Sequence, residues 1–303
     1  MITTSNSYKN KDLIHPSYTI SSASSTPGRN GIDKSSSRLG KAFGVTVHSA
    51  KGGSGKSTIV SNLAVALANE GKSVGLVDMD YGAPGLHILL GCSQKEMRFS
   101  LDDVLDGKAS LKDAVIDLTE KMNLKRGQIV FLSSSHNPSD MINTVRRGYD
   151  VPALEKIISQ MSEKYSLDYV LVDTRHGVGL SSLPAIAISD LVLFVARLDR
   201  QDEVGSKAPL QVARALKKQV LLVGSMIPYE EENERMKKRL VKMFGLPLAA
   251  ILPYDRKLQM NQSSGIFILK KQQSDYAQRM NALASKLIKL NDMKPAQIAD
   301  HVR

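Results

Sequence analysis

The chain is poor in cysteine, in tryptophan and in long apolar runs. A single cysteine, Cys92, stands among 303 residues. No intrachain disulfide can form, and no metal or iron–sulfur site that needs two cysteines from one chain can be built. Purely apolar runs stop at stretches such as Leu191–Ala196, far short of the ~18 residues a membrane-spanning helix needs. Residues 1–10 lack the apolar core of a secretory leader. These absences point to a cytoplasmic protein. What is present fits a globular fold: apolar residues make up 42%, and with glycine the total reaches the ~45–50% of ordinary soluble domains. The net charge of +11 is concentrated toward the end, with 14 basic and 4 acidic residues between 235 and 303. Such a block favours polyanions, either DNA or an anionic membrane surface, or else forms a solvated lysine-rich face.

Residues 1–40 hold ten Ser, four Thr and the breaker cluster Ser24-Ser25-Thr26-Pro27-Gly28. Burial cannot offset the ordering entropy of such a stretch, so it reads as a disordered tail, an inert leader or a partner-binding segment. From Lys41 on, short β-rich runs alternate with helical ones. Strands are expected at Gly44–Ser49, Ser73–Asp78, Gln128–Leu132, Asp168–Asp173, Asp190–Ala196, Gln219–Ser225 and Ala249–Leu252. Helices are expected at Ser57–Glu70, Val151–Tyr165, Gln201–Leu216, Glu230–Phe244 and Ser274–Leu290. In the first helix Val60, Leu63, Ala64 and Leu67 form one stripe and Gly71 ends it. The run Tyr169-Val170-Leu171-Val172 is apolar without alternation, as in a strand covered on both faces. The pattern predicts one α/β domain over residues 41–290: a mostly parallel twisted sheet of seven to eight strands with helices on both faces, followed by a tail at 291–303.

The strongest local signal follows the first strand, in Ser49-Ala50-Lys51-Gly52-Gly53-Ser54-Gly55-Lys56-Ser57-Thr58. A strand that feeds a glycine-rich loop and then opens a helix is the context of a phosphate-binding loop. Glycines let successive backbone N–H groups turn toward phosphate oxygens, and the helix N-terminus adds partial positive charge. Gly52, Gly53, Ser54, Gly55, Lys56, Ser57 and Thr58 are therefore candidate nucleotide contacts. Lys56 is assigned to the β/γ-phosphates and Ser57 to Mg²⁺. The standard motif has Gly at position 50, where this chain has Ala, and a second lysine, Lys51, stands inside the loop.

The run Lys-Gly-Gly-Ser-Gly-Lys-Ser resembles the deviant Walker A motif of the ParA/MinD family of ATPases. The resemblance extends over most of residues 43–290, through Asn62-Leu63-Ala64, Gly71-Lys72 and Gly75-Leu76-Val77-Asp78-Met79-Asp80. It implies ATP and ADP as ligands, Mg²⁺ as cofactor, and an ATP-dependent homodimer in which Lys51 crosses to the partner's nucleotide. It further implies that Asp80 orients the attacking water, that Asp78 supports Mg²⁺ through water, and that Asp173 is the Walker B aspartate. By the same resemblance, Tyr81-Gly82-Ala83-Pro84-Gly85-Leu86-His87 matches the place of the first switch loop and Thr174-Arg175-His176-Gly177-Val178-Gly179 that of the second. Pro253 matches a base-pocket position. Ser225-Met226-Ile227-Pro228 carries Ser where the family often has Asn.

Related cysteine-dependent carriers are excluded by the lone Cys92, and tyrosine kinases of this type by the lack of a C-terminal tyrosine cluster. The leading reading is an ATPase that binds nonspecific DNA through the basic face of 235–303, answers to an activating partner protein, and positions a chromosomal, plasmid or other cargo. That reading makes it cytoplasmic and nucleoid-associated. A MinD-like membrane-associated regulator or assembly scaffold is the alternative, and a carboxylate-activating synthetase a distant third. The tail after Leu290 has Pro, acids and no Phe or Trp, which makes a poor membrane anchor.

Overall fold

Eight strands make a single sheet: β1 (Phe43–His48), β2 (Ser73–Met79), β3 (Ile116–Asp117), β4 (Gln128–Leu132), β5 (Tyr169–Thr174), β6 (Leu191–Ala196), β7 (Gln219–Ile227) and β8 (Leu248–Pro253). Their spatial order is β3-β4-β2-β5-β1-β6-β7-β8. All neighbours are parallel except β3, which runs antiparallel to β4 at one edge. The computed structural model describes residues 39–228, 234–261 and 263–293. The terminal stretches expected as tails, apart from their innermost residues, and the first residues of the helix expected from Glu230 lie outside them.

Alternate side chains of the central strands enter different cores, as the two-residue pleat requires. Val45, Val47, Leu171, Leu193 and Val195 pack with the helices Lys56–Asn69 and Asp275–Asp292 on one face. Val170 and Val172 meet the helix Val151–Lys164 on the other. Val192, Phe194 and Leu222 meet the helices Arg200–Ala215 and Glu234–Phe244, through Leu210, Leu240 and Phe244. Burial on both faces explains why β5 and β6 read as continuous apolar runs.

The expected seven parallel strands are all present, Gln128–Leu132 with unchanged ends and the others with ends moved by at most two residues, and the short β3 is an addition. Helices Pro138–Arg147 and Ser182–Ile188 are also additions. Leu39, inside the stretch read as tail, is fully buried with Ala42 and fills the space beside Gly44. Packing therefore begins before residue 41.

Parallel strands carry their connections at the ends, and this order creates a division at β1. From β1 the chain crosses toward β2, whereas from β5 it passes β1 to reach β6. Such a reversal opens a crevice outside the carboxyl ends of the strands. The glycine-rich loop leaves β1 at that point.

Candidate functional site

The loop between His48 and Lys56 depends on two glycines in the left-handed region. Gly53 has φ +73° and Gly55 has φ +89°, and Gly55 is the residue on which the helix Lys56–Asn69 starts. A side chain is disfavoured at both conformations. The turn aims the first helical residues back at the sheet edge. Lys56 is only 8% exposed, and Ser57 stands beside the carboxylate of Asp173, on β5.

Asp173 is fully buried, and its Oδ1 has no hydrogen-bond partner. Burial pushes its pKa up to about 6 even though Lys56 and the Ser57 hydroxyl favour the charged form. An ionised carboxylate with a free oxygen in a dry site is costly unless a cation compensates it. This donor set fits Mg²⁺: a hydroxyl and a carboxylate, both hard oxygen ligands, beside an ammonium placed for phosphate.

Asp78 is the register partner of Asp173 across β2 and β5 and is equally buried. Burial and the Asp173 charge hold its pKa well above the usual carboxylate range. Both of its oxygens accept backbone N–H groups, Oδ1 from Asp80 at 2.9 Å and Oδ2 from Leu86 at 3.2 Å. Asp78 thus fastens the turn after β2. That turn brings Asp80 to a cavity of about 370 Å³ shared with Gly52, Lys56, Ser57, Thr58 and Arg175. Lys51 is not part of its lining; the Lys51 ammonium donates instead to Gln201 Oε1 in the same chain.

A second cavity of about 270 Å³ opens beside Gly53, Gly55 and Thr58. Pro253, Tyr254 and Asp255 wall it together with Ser225 and Met226. Ser225 and Met226 sit at a bulge of β7, and Met226 is left-handed with φ +56°. Strain of this kind persists where the surroundings enforce it. Here it lets the Ser225 hydroxyl donate to the Ser54 carbonyl at 2.8 Å. The residue in the usual asparagine's place therefore braces the phosphate loop. Asn62, buried on the loop's helix, accepts from the Ile268 N–H at 2.9 Å and ties the far wall to that helix.

His48 was not singled out in the sequence, yet it lies directly under the site. Burial, aided by the Lys56 and His176 charges, lowers its pKa to about 3. The Thr174 hydroxyl donates to the Val47 carbonyl at 3.0 Å, so its oxygen accepts from His48 Nδ1–H at 2.9 Å. A neutral imidazole thereby joins β1 to β5. His176 lies against Gly52 at the mouth of the phosphate cavity.

Several basic residues of the C-terminal quarter do internal work. Lys270 donates to the Ser264 carbonyl and to Asn261 Oδ1, Arg279 to the Ile251 carbonyl, and Lys286 to the Leu248 carbonyl at 2.9 Å. The charge block is therefore only partly a free face. Among the described residues, the helix Glu234–Phe244 exposes Arg235, Lys238, Arg239 and Lys242, and further cations are exposed at Arg256, Lys257, Lys271 and Lys289. No helix among the described residues is long and apolar enough to cross a membrane.

Comparison with known proteins agrees with this geometry. The AAA domain family matches residues 44–221. The chain is 26% identical to the septum site-determining protein MinD of Synechocystis over 226 residues, covering 73% of this chain and 79% of the relative. Among solved structures, MinD of Pyrococcus horikoshii complexed with Mg-ADP superposes with a TM-score of 0.69 at 24% identity, covering 83% of this chain and 98% of that one. A putative plasmid partition protein of Borrelia burgdorferi bound to AMPPNP superposes with a TM-score of 0.64 at 17% identity, covering 82% and 99%. Loop, paired aspartates, sheet order and sequence match agree, and the chain belongs to the ParA/MinD family of P-loop ATPases.

Proposed function

We propose that this protein is a Mg²⁺-dependent ATP hydrolase that dimerises around ATP and uses the ATP-bound state to position cargo on nonspecific DNA. One observation carries the hydrolase reading: buried Asp173 keeps a carboxylate oxygen unpartnered beside the Ser57 hydroxyl and the Lys56 ammonium. Phosphoryl transfer relies mostly on positioning and charge. In this reading Lys56 meets the β/γ-phosphates, the loop amides from Gly52 to Thr58 surround them, and Ser57 and Asp173 hold Mg²⁺. When bound, Mg²⁺ neutralises charge that develops on the phosphate oxygens. Asp80, held in place by Asp78, orients the attacking water. The cavity walled by Pro253, Tyr254 and Met226 takes the base.

The dimer reading is supported by an apolar rim at the carboxyl edge of the sheet. Ile142 and Val145 after β4, Val178 and Leu183 after β5, and Val204 after β6 are all exposed. These elements leave the sheet on the side where Lys51 stands, and exposed apolar groups gathered on one side mark an interface. A second copy covers them, and Lys51 then leaves Gln201 for the partner's nucleotide.

The DNA reading rests on Arg235, Lys238, Arg239 and Lys242 along a helix whose opposite side, Met236, Leu240 and Phe244, is buried. A dimer presents two such helices, and linked contacts raise effective affinity. Spatial organisation is also the role in the printed names of the relatives, septum site determination and plasmid partition. An activating partner protein would set the turnover rate. The test is co-sedimentation with random-sequence DNA and with anionic liposomes, each with ATP or ADP. Retention on DNA with ATP alone supports the reading. Retention only on liposomes replaces it with a membrane-bound regulator.

A further inference from the structure

The segment after Asp173 carries an arginine for which the site described above has no role. The Arg175 guanidinium lies over the Tyr81 ring, 5.5 Å from its centroid. It also occupies the space that a side chain at position 82 would fill, since a Cβ on Gly82 would come within 1.6 Å of Arg175 Nη1. The guanidinium thus clasps the turn after β2 to the segment after β5. The same side chain lines the phosphate cavity with Lys56, Ser57 and Asp80, and its charge is felt by His176 at that cavity's mouth.

We propose that Arg175 is a second cationic contact for the terminal phosphate within one chain, set at the cavity by its clasp on Tyr81 and Gly82. The proposal rests on the ATP reading above. Its warrant is charge and reach. The cavity holds the carboxylate of Asp80 and borders that of Asp173, against one lining ammonium, Lys56. Lys51 is engaged by Gln201. A triphosphate brings more negative charge than a diphosphate, and it brings it at the end of the site farthest from the base cavity. Guanidinium matches phosphate oxygens in a planar, two-pronged geometry and is weakly hydrated, so it exchanges an aromatic face for an anion at low cost. Ligation of the terminal phosphate draws the arginine from Tyr81 and frees the turn that contains Asp80. The presence of that phosphate is thereby transmitted to the segment 80–86.

The experiment measures affinity for a non-hydrolysable ATP analogue and for ADP, each with Mg²⁺, in the full chain and in Arg175→Gln and Arg175→Lys. Arg175→Gln is expected to lose about tenfold or more for the analogue while ADP stays within about twofold, and Arg175→Lys to recover part of the loss. Because the chain contains no tryptophan, Tyr81→Trp supplies a single fluorescent reporter on the clasp. Its emission is expected to change with the analogue and not with ADP, and to lose that distinction when Arg175→Gln is added. Equal losses for analogue and ADP, no loss for either, or an emission response that survives Arg175→Gln overturns the assignment. A wild-type chain that binds neither nucleotide overturns the ATP reading itself; a wild-type chain that binds both, with an unaltered Arg175→Gln, overturns only the role of the arginine.

Discussion

The hydroxyl of Ser225, at a bulge in β7, donates to the carbonyl of Ser54 in the glycine-rich loop at 2.8 Å. This contact ties the wall of the cavity beside Pro253 to the glycine-rich loop. Ser225→Ala removes this hydrogen bond, whose net worth is about 0.5–1.5 kcal/mol. Nucleotide affinity is expected to fall about 2- to 12-fold, with turnover at saturating ATP little changed. Calorimetric titration against steady-state kinetics separates the two effects.

Lys56→Ala removes the ammonium from a site where the loop amides remain. Nucleotide affinity is expected to fall by two orders of magnitude or so, given the stronger contribution of charge-assisted bonds. The fold should hold, with buried Asp173 taking a proton more readily once the Lys56 charge that favours its ionised form is gone. Fluorescent-nucleotide binding together with far-UV circular dichroism checks both halves.

His48 gives stability a pH dependence. Its pKa is about 3 in the folded chain and about 6.5 when unfolded. The contribution is thus fully present above pH 6.5 and is lost as pH falls toward 3. Between pH 7 and pH 5 the loss is about 2 kcal/mol. Urea titrations across this range should show wild type losing about 2 kcal/mol relative to His48→Asn as pH falls from 7 to 5, against the opposite trend that the raised Asp78 and Asp173 give both chains.

The basic quarter divides into two classes of lysine and arginine. Combined replacement of Arg235, Lys238, Arg239 and Lys242 by Glu is expected to abolish ATP-dependent DNA retention while leaving the melting temperature nearly unchanged. Lys286→Glu is expected instead to lower the melting temperature, because half-buried Lys286 donates to the Leu248 carbonyl. In the wild type, the logarithm of DNA affinity should fall against the logarithm of salt with a slope of about −0.9 per phosphate contacted.

What the sequence makes legible follows local physics. β5 and β6 show as apolar runs, the phosphate loop as a glycine pattern between strand and helix, and Asp173 as the end of a buried strand. The pairing of Ile116 and Asp117 with β4 is set by tertiary contact and is too short to carry a period. The helix Pro138–Arg147 did leave a signal, since Asn137 caps it and Pro138 opens it. The bulge at Met226 left none: nothing in Ser-Met-Ile-Pro announces a left-handed methionine. The tying of Lys270, Arg279 and Lys286 to carbonyls is likewise invisible in sequence, where cations at a chain end read as one exposed face.

In the proposed cycle two chains close on ATP, and Lys51 moves from Gln201 to the partner's nucleotide. Asp80→Ala should spare binding and stall hydrolysis, which holds the complex in its ATP state. The direct measurement is the mass of Asp80→Ala by light scattering with ATP and Mg²⁺. Twice the 33.1 kDa of the single chain is expected, reverting to one chain with ADP or when Lys51→Ala is added. A single-chain mass for Asp80→Ala saturated with ATP and Mg²⁺ contradicts it.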